Sequence, residues 1–296
     1  MSPDSATEAV GKAPTRGLGF GGRRRTARAS ARQGILIVAA AVALYPVYFM
    51  VTTALKGREQ YLDDKLGPPW PLAWGNFDEA LRGGKFWLWL GNSAIFTLSS
   101  VFLSTIIAAL AAFAIARMRF RGRDVLLTVN VALMVVPPVV MLIPLFVLFT
   151  QLELVSTFRG VILIYAGLVT PFSVYMLTGF FRSIPHELIE SAVTDGASHF
   201  LIFSRIILPL SVPALITLVL VNSLFVWNEL LIALVFLPSD ELKTLMVGLT
   251  VFASRFNLDV PVTMAGMVLS SIPMVVLYLF GQRFFIRGLT AGAVKG

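Results

Sequence analysis

Long apolar segments, six in number, are the feature that most restricts the fold of this chain. They cover residues 33–55, 86–116, 124–150, 159–181, 206–237 and 263–286. Each reaches roughly the 20 residues that a helix needs to cross a bilayer. In lipid every backbone polar group needs an internal partner, so such spans form helices or closed barrels. Their length favours helices, and the sequence predicts an all-α membrane protein with six transmembrane helices.

Composition agrees with this interpretation. Of the 296 residues, 57% are hydrophobic and only 14% are charged, too few to cover the surface of a soluble domain. Prolines lie inside the third span (Pro137, Pro138 and Pro144) and the sixth (Pro273), and they are expected to break the third. They are tolerable only where neighbouring helices cover the freed carbonyls, which favours a packed bundle.

The basic residues predict the orientation of the spans. With both termini, the 117–123 loop and the 182–205 loop in the cytoplasm, 16 Lys and Arg lie inside and eight outside. This bias is typical of membrane topology and argues against nucleic acid as the partner of a chain with net charge +8. Residues 1–32 are Arg-rich and are predicted to form a disordered cytoplasmic tail. Residues 33–286 are predicted to form one six-span membrane domain, and residues 287–296 a C-terminal cytoplasmic tail expected to be extended.

The stretch at residues 187–209 is unusually polar for a segment between two spans. Pro185 suits the first turn of a helix, Ser183 is its candidate N-cap, and Glu187 lies early in it. Leu188, Ile189, Ala192 and Val193 recur at helical spacing and form an apolar stripe. Gly196 allows a left-handed turn, and Ser198 can cap a second helix. The stretch therefore predicts a short amphipathic helix, a glycine corner and a return to the membrane.

This stretch resembles the EAA loop of the permeases of ATP-binding-cassette (ABC) importers. Residues 190–209, ESAVTDGASHFLIFSRIILP, follow the pattern E-A-A-x3-G-x9-I-x-L-P, with Ser191 in place of the first Ala. In that family the loop (here residues 185–209) carries a coupling helix, which sits in a groove of a separate ATPase. The Glu at the position of Glu190 typically pairs with an Arg of that ATPase. The resemblance implies ATPase-coupling roles for Glu187, Glu190, Ser191, Ala192, Asp195, Gly196, Ala197, Leu208 and Pro209.

Other segments extend the resemblance. The WNE sequence at 227–229 looks like a segment of carbohydrate importers, and residues 282–296 are similar to the end of the smaller permease subunit of maltose-type transporters. The chain thus resembles a carbohydrate-uptake permease with the type I ABC-importer fold in the bacterial cytoplasmic (inner) membrane. The resemblance implies a second homologous permease subunit, two ATPase subunits and an extracytoplasmic solute-binding protein, which the outer loop at residues 238–262 would enter. ATP and Mg would bind the ATPases, with no cofactor on this chain.

Polar side chains inside the spans are candidates for the substrate passage, because they are costly in lipid and usually face a cavity or another helix. The predicted passage residues are Asn130, Tyr165, Asn222, Trp227, Asn228 and Glu229. Aromatic faces bind sugar rings, and amide or carboxylate groups bind hydroxyls. The same side chains also suit hydrogen bonds between helices. Maltose-like, trehalose-like and alginate-like oligosaccharides and glycerol phosphate all remain open as the substrate.

An ATP-independent secondary transporter is the alternative hypothesis. It would need inverted repeats or ion-coupling groups within the membrane, and Glu229 is the only carboxylate in the middle of a span. A membrane enzyme would need a convergent acid, base or nucleophile, and the sequence offers none. The G-x4-G-K-[ST] pattern is absent, so ATP would bind in a partner subunit.

Overall fold

The computed structural model describes the backbone of residues 20–82, 85–255 and 259–293, and the side chains of residues 32–82, 85–250 and 259–282. Within these ranges all regular secondary structure is helical. The chain divides into two units, Met1–Phe49 and Met50–Gly296. The helices follow in chain order.

They are α1 (Phe20–Ala54), α2 (Arg58–Asp63), α3 (Gly75–Arg82), α4 (Phe86–Arg117), α5 (Arg123–Val135), α6 (Pro138–Gln151), α7 (Phe158–Ser183), α8 (His186–Thr194), α9 (His199–Ile202), α10 (Leu208–Leu210), α11 (Val212–Asn228), α12 (Leu231–Phe236), α13 (Leu245–Arg255) and α14 (Val260–Ala293). A π-helical turn, Phe203–Ile207, joins α9 to α10.

Four of these helices are long and apolar enough to cross a membrane alone, namely α1, α4, α7 and α14. Two bent pairs raise the number to as many as six in the described part of the chain. The expected all-helical membrane fold is therefore confirmed. The bounds of α4 and α7 lie within two residues of the predicted second and fourth spans.

The third apolar segment is broken where its paired prolines lie. Helices α5 and α6 meet at 99°, and Val136 and Pro137 between them are extended. A residue that precedes proline is disfavoured in the helical region, so Pro137 and Pro138 end α5. Pro144, by contrast, lies inside α6 and does not break it.

The fifth apolar segment differs from the single span expected over residues 206–237. The helical stretch from α9 to α10 meets α11 at 74°, with Ser211 at the bend. A second break follows Asn228, where Glu229 and Leu230 separate α11 from α12. The segment therefore consists of three pieces, and Asn222 and Glu229 do not share one continuous helix.

Each of the two predicted tails is helical in the part that adjoins the membrane domain. Helix α1 begins at Phe20, so residues 20–32 are helical where a disordered tail was expected, while residues 1–19 lie outside the described residues. Helix α14 continues to Ala293, so residues 287–293 are helical where an extended tail was expected, and residues 294–296 lie outside. The outer loop at residues 238–262 contains a helix of its own, α13.

Helices α4 and α7 share the most extensive contact in the second unit. Small buried residues on α4, Ala108 and Ala112, allow α7 to approach with Leu177 and Phe181. Close packing of this kind is the main source of helix association in lipid, where burial of apolar area drives little. The cluster around these residues also contains Ile202 and the π-helical turn, so it supports the 185–209 loop from the membrane side.

Candidate functional site

The predicted amphipathic helix is α8, which follows α7 directly in the chain. It begins one residue later than expected, at His186, with Pro185 as N-cap. Ser183 is not its cap, because Ile184 before Pro185 is extended and Ser183 remains the last residue of α7. The Ser183 hydroxyl donates to the Phe180 carbonyl at 2.7 Å instead.

The glycine corner after α8 has the predicted geometry. Gly196 adopts a φ of +79°, which costs other residues more than glycine. Its N–H donates to the Val193 carbonyl at 3.0 Å, and the Ala197 N–H donates to the Ala192 carbonyl at 2.9 Å. These two bonds form a Schellman motif that satisfies the last carbonyls of α8. The Ser198 hydroxyl then caps α9 by accepting from Leu201 N at 3.3 Å, as predicted.

The apolar stripe of α8 faces in two directions. Ile189 and Ala192 are half-buried and pack on the α4–α7 cluster. Leu188 and Val193 stay 47% and 54% exposed. Ser191 is also exposed, and its hydroxyl donates to the Glu187 carbonyl, so the change from the family's Ala disturbs no packing. Helix α8 is therefore held on one side and open on the other.

Glu190 lies on the exposed part of α8 beside a cavity. Its carboxylate pairs with His186 Nδ1 at 3.0 Å, one helical turn away. The cavity, about 710 Å³, lies between α8 and the end of α4, where Arg117 and Arg119 line it opposite Glu190. The remaining predicted coupling residues follow the corner: Asp195 is the C-cap of α8, and Leu208 and Pro209 begin α10.

Arg117 contacts a second corner, between α7 and α8, and the sequence interpretation missed it. The guanidinium Nη2 donates to the carbonyls of Phe181 and Ile184, the latter at 2.5 Å. Both carbonyls lie at the end of α7, just before α8. An arginine at the end of a span indicates only membrane topology when the partner is not known, so no signal of this contact could be read from the residues alone.

The predicted passage residues separate into several places. Tyr165 and Glu229 are brought together: the Tyr165 hydroxyl donates to the Glu229 carboxylate at 3.0 Å. The same carboxylate accepts from the N–H groups of Leu231, Ile232 and Ala233 at 2.9–3.3 Å. Glu229 therefore caps the first turn of α12, where a carboxylate suits the positive end of the helix dipole.

Asn222 belongs to a buried polar network between three helices. Its amide donates to the Ser173 hydroxyl at 2.8 Å, and the network continues through Ser104 of α4 to Thr170 of α7. Asn222 is only 2% exposed. In this conformation it joins helices rather than facing a cavity. Asn130 has a similar contact, since its amide donates to the Pro171 carbonyl of α7 at 2.8 Å.

Trp227 and Asn228 line a cavity of about 700 Å³ between α11, α13 and α14. The Trp227 indole is buried and donates to the Ser270 carbonyl at 3.2 Å, whereas Asn228 is exposed. The polar lining also includes Thr250, Ser270 and Tyr278, which the sequence interpretation had not singled out. Of the six predicted passage residues, Trp227 and Asn228 thus share an open cavity.

The loop at residues 238–262 is attached to the N-terminal end of α4 by polar side chains. Asn92 donates to the carbonyls of Glu241 and Lys243 at 2.7 and 3.0 Å, and Trp89 donates to the Asp240 carbonyl at 2.9 Å. Lys85 bonds the Glu241 carboxylate at 2.6 Å and holds the pKa of that carboxyl below its usual range. These contacts position α13, which lines the cavity that contains Asn228.

Comparison with known proteins identifies the class to which this fold belongs, the permeases of ABC importers. The family described as binding-protein-dependent transport system inner membrane component matches residues 104–290. A putative ABC transporter permease, ORF2 of Caldicellulosiruptor sp., is 40% identical over 86% of this chain and 93% of its own length. The melibiose/raffinose/stachyose import permease MelC of Bacillus subtilis is 32% identical over 92% of this chain and 100% of its own.

A further relative is the diacetylchitobiose uptake permease DasC of Streptomyces coelicolor, 34% identical over 86% of this chain and 92% of its own length. The fold is also similar to a chain from a solved bacterial ABC transporter that imports alginate, with a TM-score of 0.77, 24% identity and coverage of 92% of this chain and 100% of that one.

The chain therefore belongs to the family of binding-protein-dependent transport system inner membrane components, and it is a multi-pass protein of the inner membrane. The resemblance to carbohydrate-uptake permeases is confirmed by these relatives.

Proposed function

We propose that this chain is the permease subunit of an ABC importer for a sugar or oligosaccharide, driven by ATPase subunits that are separate proteins. The observation that carries the proposal is the half-held helix α8. One side packs on the α4–α7 cluster, while Leu188, Val193 and Glu190 remain exposed. An exposed apolar surface beside a carboxylate suits a protein groove that offers a cation.

The wider assembly follows from the same proposal. A second homologous permease completes the passage, two ATPases bind ATP and Mg below it, and an extracytoplasmic binding protein delivers the sugar. Nucleotide and the docked binding protein each favour one state of the permease pair, and this difference drives alternating access. The polar side chains around Asn228 are the groups of this subunit best placed to meet the sugar in its passage.

Glu229 argues against the alternative of a secondary transporter. Ion coupling would need a carboxylate that is free to bind and release a cation within the membrane. The Glu229 carboxylate is instead occupied by Tyr165 and the backbone of α12. The proposal therefore assigns Glu229 to the shape of the fifth span and assigns the energy source to ATP.

The test is purification of the tagged chain from its own membranes in mild detergent, with ATPase activity assayed on the eluate. We expect a second permease and an ATPase to co-purify with the wild type. Glu190→Ala should reduce ATPase retention by about tenfold or more, because loss of one partner of an interfacial charge pair costs about 2–5 kcal/mol. Glu79→Ala, at an exposed site on α3, is the matched control. A chain that elutes alone and transports in liposomes without ATP would exclude the proposal.

A further inference from the structure

The last turn of α7 ends in carbonyl groups that need partners, because the last four carbonyls of a helix have none within it. Phe180 O accepts from Ser183 Oγ. Phe181 O accepts a long bond of 3.3 Å from Ile184 N. The chain cannot continue the helix, since Pro185 has no N–H to donate and forces Ile184 out of the helical region. The corner between α7 and α8 is thus weakly held by its own backbone.

Arg117 supplies the missing donors from another helix. It is the last residue of α4, and its Nη2 donates to Phe181 O inside α7 and to Ile184 O beyond its end. Phe181 and Ile184 are both buried. Among the described residues Arg117 has no carboxylate within ion-pair distance. Its charge is met by the carbonyl end of the α7 dipole, where a cation is favoured.

A second polar contact near this corner, between α7 and α5, is weaker. Arg182 of α7 lies 3.7 Å from Asp124 of α5, and both side chains are well exposed. Exposed pairs at this distance contribute little and are screened by salt. Among the described residues, Arg117 is therefore the main polar link between the end of α4 and the corner between α7 and α8.

The position of this link matters because α8 moves with the ATPases in the proposed function. Helix α8 joins the bundle through Pro185 and through the half-buried Ile189 and Ala192. We propose that Arg117 is a positioning residue that makes the α7–α8 corner rigid, so that displacement of α8 moves α4 and α7 together. This inference rests on the proposed function. It holds that Arg117 determines how much sugar is moved for each ATP hydrolysed.

A residue that only stabilised the fold would affect every activity alike. Loss of rigidity at the corner would affect the two activities differently. Helix α8 still binds the ATPase, but its displacement moves α4 only in part. ATP hydrolysis then continues and uptake falls. The ratio of sugar taken up to ATP hydrolysed separates the two cases.

The experiment uses the complex that co-purifies with the tagged chain, reconstituted in liposomes with its binding protein. In Arg117→Gln we expect the sugar-to-ATP ratio to fall by about tenfold, within the usual range of coupling between sites, with the ATPase retained. Arg117→Lys keeps the charge but not the planar fork, and should restore the ratio in part. Arg121→Gln, an exposed arginine four residues away that does not line the cavity beside Glu190, should match the wild type.

A parallel fall of uptake and ATPase activity, or an equal effect of Arg121→Gln, would overturn the inference. The chain has no cysteine, so spin labels at Val193→Cys and Arg121→Cys report the distance between α8 and the α4–α5 loop. If Arg117→Gln does not assemble, Arg117→Lys must broaden that distance distribution and lower the ratio, and a wild-type result in either contradicts the inference. Absence of ATP-driven uptake in the wild type would instead refute the proposed function.

Discussion

The hydroxyl of Tyr165 on α7 donates a 3.0 Å hydrogen bond to the carboxylate of Glu229, which also caps α12. Tyr165 is fully buried. One carboxylate thus serves two purposes: it begins a short helix after the break in the fifth apolar segment, and it accepts the hydrogen bond of a buried hydroxyl. The WNE sequence that resembles carbohydrate importers is, in this chain, the structural hinge between α11 and α12.

This relationship predicts that Glu229→Ala lowers stability. It removes a helix cap and the acceptor of the Tyr165 hydroxyl, a combined cost of about 2–4 kcal/mol. Tyr165→Phe should cost about 1 kcal/mol, since it removes the donor together with its need for a partner. Thermal unfolding of the purified complex measures both. An unchanged unfolding temperature together with a raised KM for the sugar would show that Glu229 meets the substrate instead.

Asn222 and Asn228 provide a matched pair of amides on α11. Asn222→Ala should destabilise the complex by about 1–2 kcal/mol, because the buried hydrogen bond that joins α11 to Ser173 of α7 is lost, and it should leave KM unchanged. Asn228→Ala should leave the unfolding temperature unchanged and raise KM, because Asn228 is exposed in the cavity. Uptake measured over a range of sugar concentrations, beside thermal unfolding, tests the pair. Reversal of the two effects would contradict the assignment.

The sequence was sufficient for the uninterrupted spans such as α4 and α7, because their length and apolarity follow directly from bilayer thickness. It was also sufficient for the break before Pro138 and for the turn at Gly196, where the backbone chemistry of one residue decides the conformation. The fold class, the exposed helix α8 and the family could therefore be predicted without coordinates.

The sequence was insufficient where a long-range partner decides the structure. The break at Glu229 has no proline or glycine to signal it, and it exists because the Glu229 side chain competes for the N–H groups of α12. Asn222 and Asn228 are the same residue type six positions apart, yet only the first finds a serine on α7. Arg117 looked like a topology signal because its carbonyl partners are more than 60 residues away.

The ion pair of Lys85 and Glu241 predicts a pH dependence of the outer loop. Hydrogen bonding to Lys85 lowers the pKa of Glu241 in the folded state. Its contribution is therefore present above the unfolded pKa, about 4.3, and is lost as the pH falls through the lower folded value. The difference in unfolding temperature between wild type and Glu241→Gln should be small at pH 7, because the pair is exposed, and should vanish at acid pH. A difference that grows on acidification would refute this.

The contact of Gly248 with Trp89 predicts that the outer loop cannot accept a larger residue there. A Cβ on Gly248 would lie 2.1 Å from Cε3 of the Trp89 ring, which is buried and bonded to the Asp240 carbonyl. Gly248→Ala should cost about 1–3 kcal/mol through overpacking and reduce stimulation of the ATPase by the binding protein. Gly91→Ala on α4 is the control, since no atom lies within 4 Å of the added carbon. Equal effects of the two changes would exclude the steric explanation.

Gly196 offers a test of the glycine corner after α8 that does not alter any surface side chain of that helix. No atom lies within 4 Å of a Cβ added there, so a substitution acts only through the positive φ. Gly196→Ala should cost about 1–2 kcal/mol and, because the Schellman motif sets the direction in which α8 ends, should weaken retention of the ATPase. Gly196→Asn should be milder, since asparagine tolerates this conformation. Gly167→Ala on α7, also without a neighbour within 4 Å, controls for the added methyl group. Retention of the ATPase in the order Gly167→Ala, Gly196→Asn, Gly196→Ala, from most to least, is the expected result, and the same retention in all three would show that the corner does not orient α8 for docking.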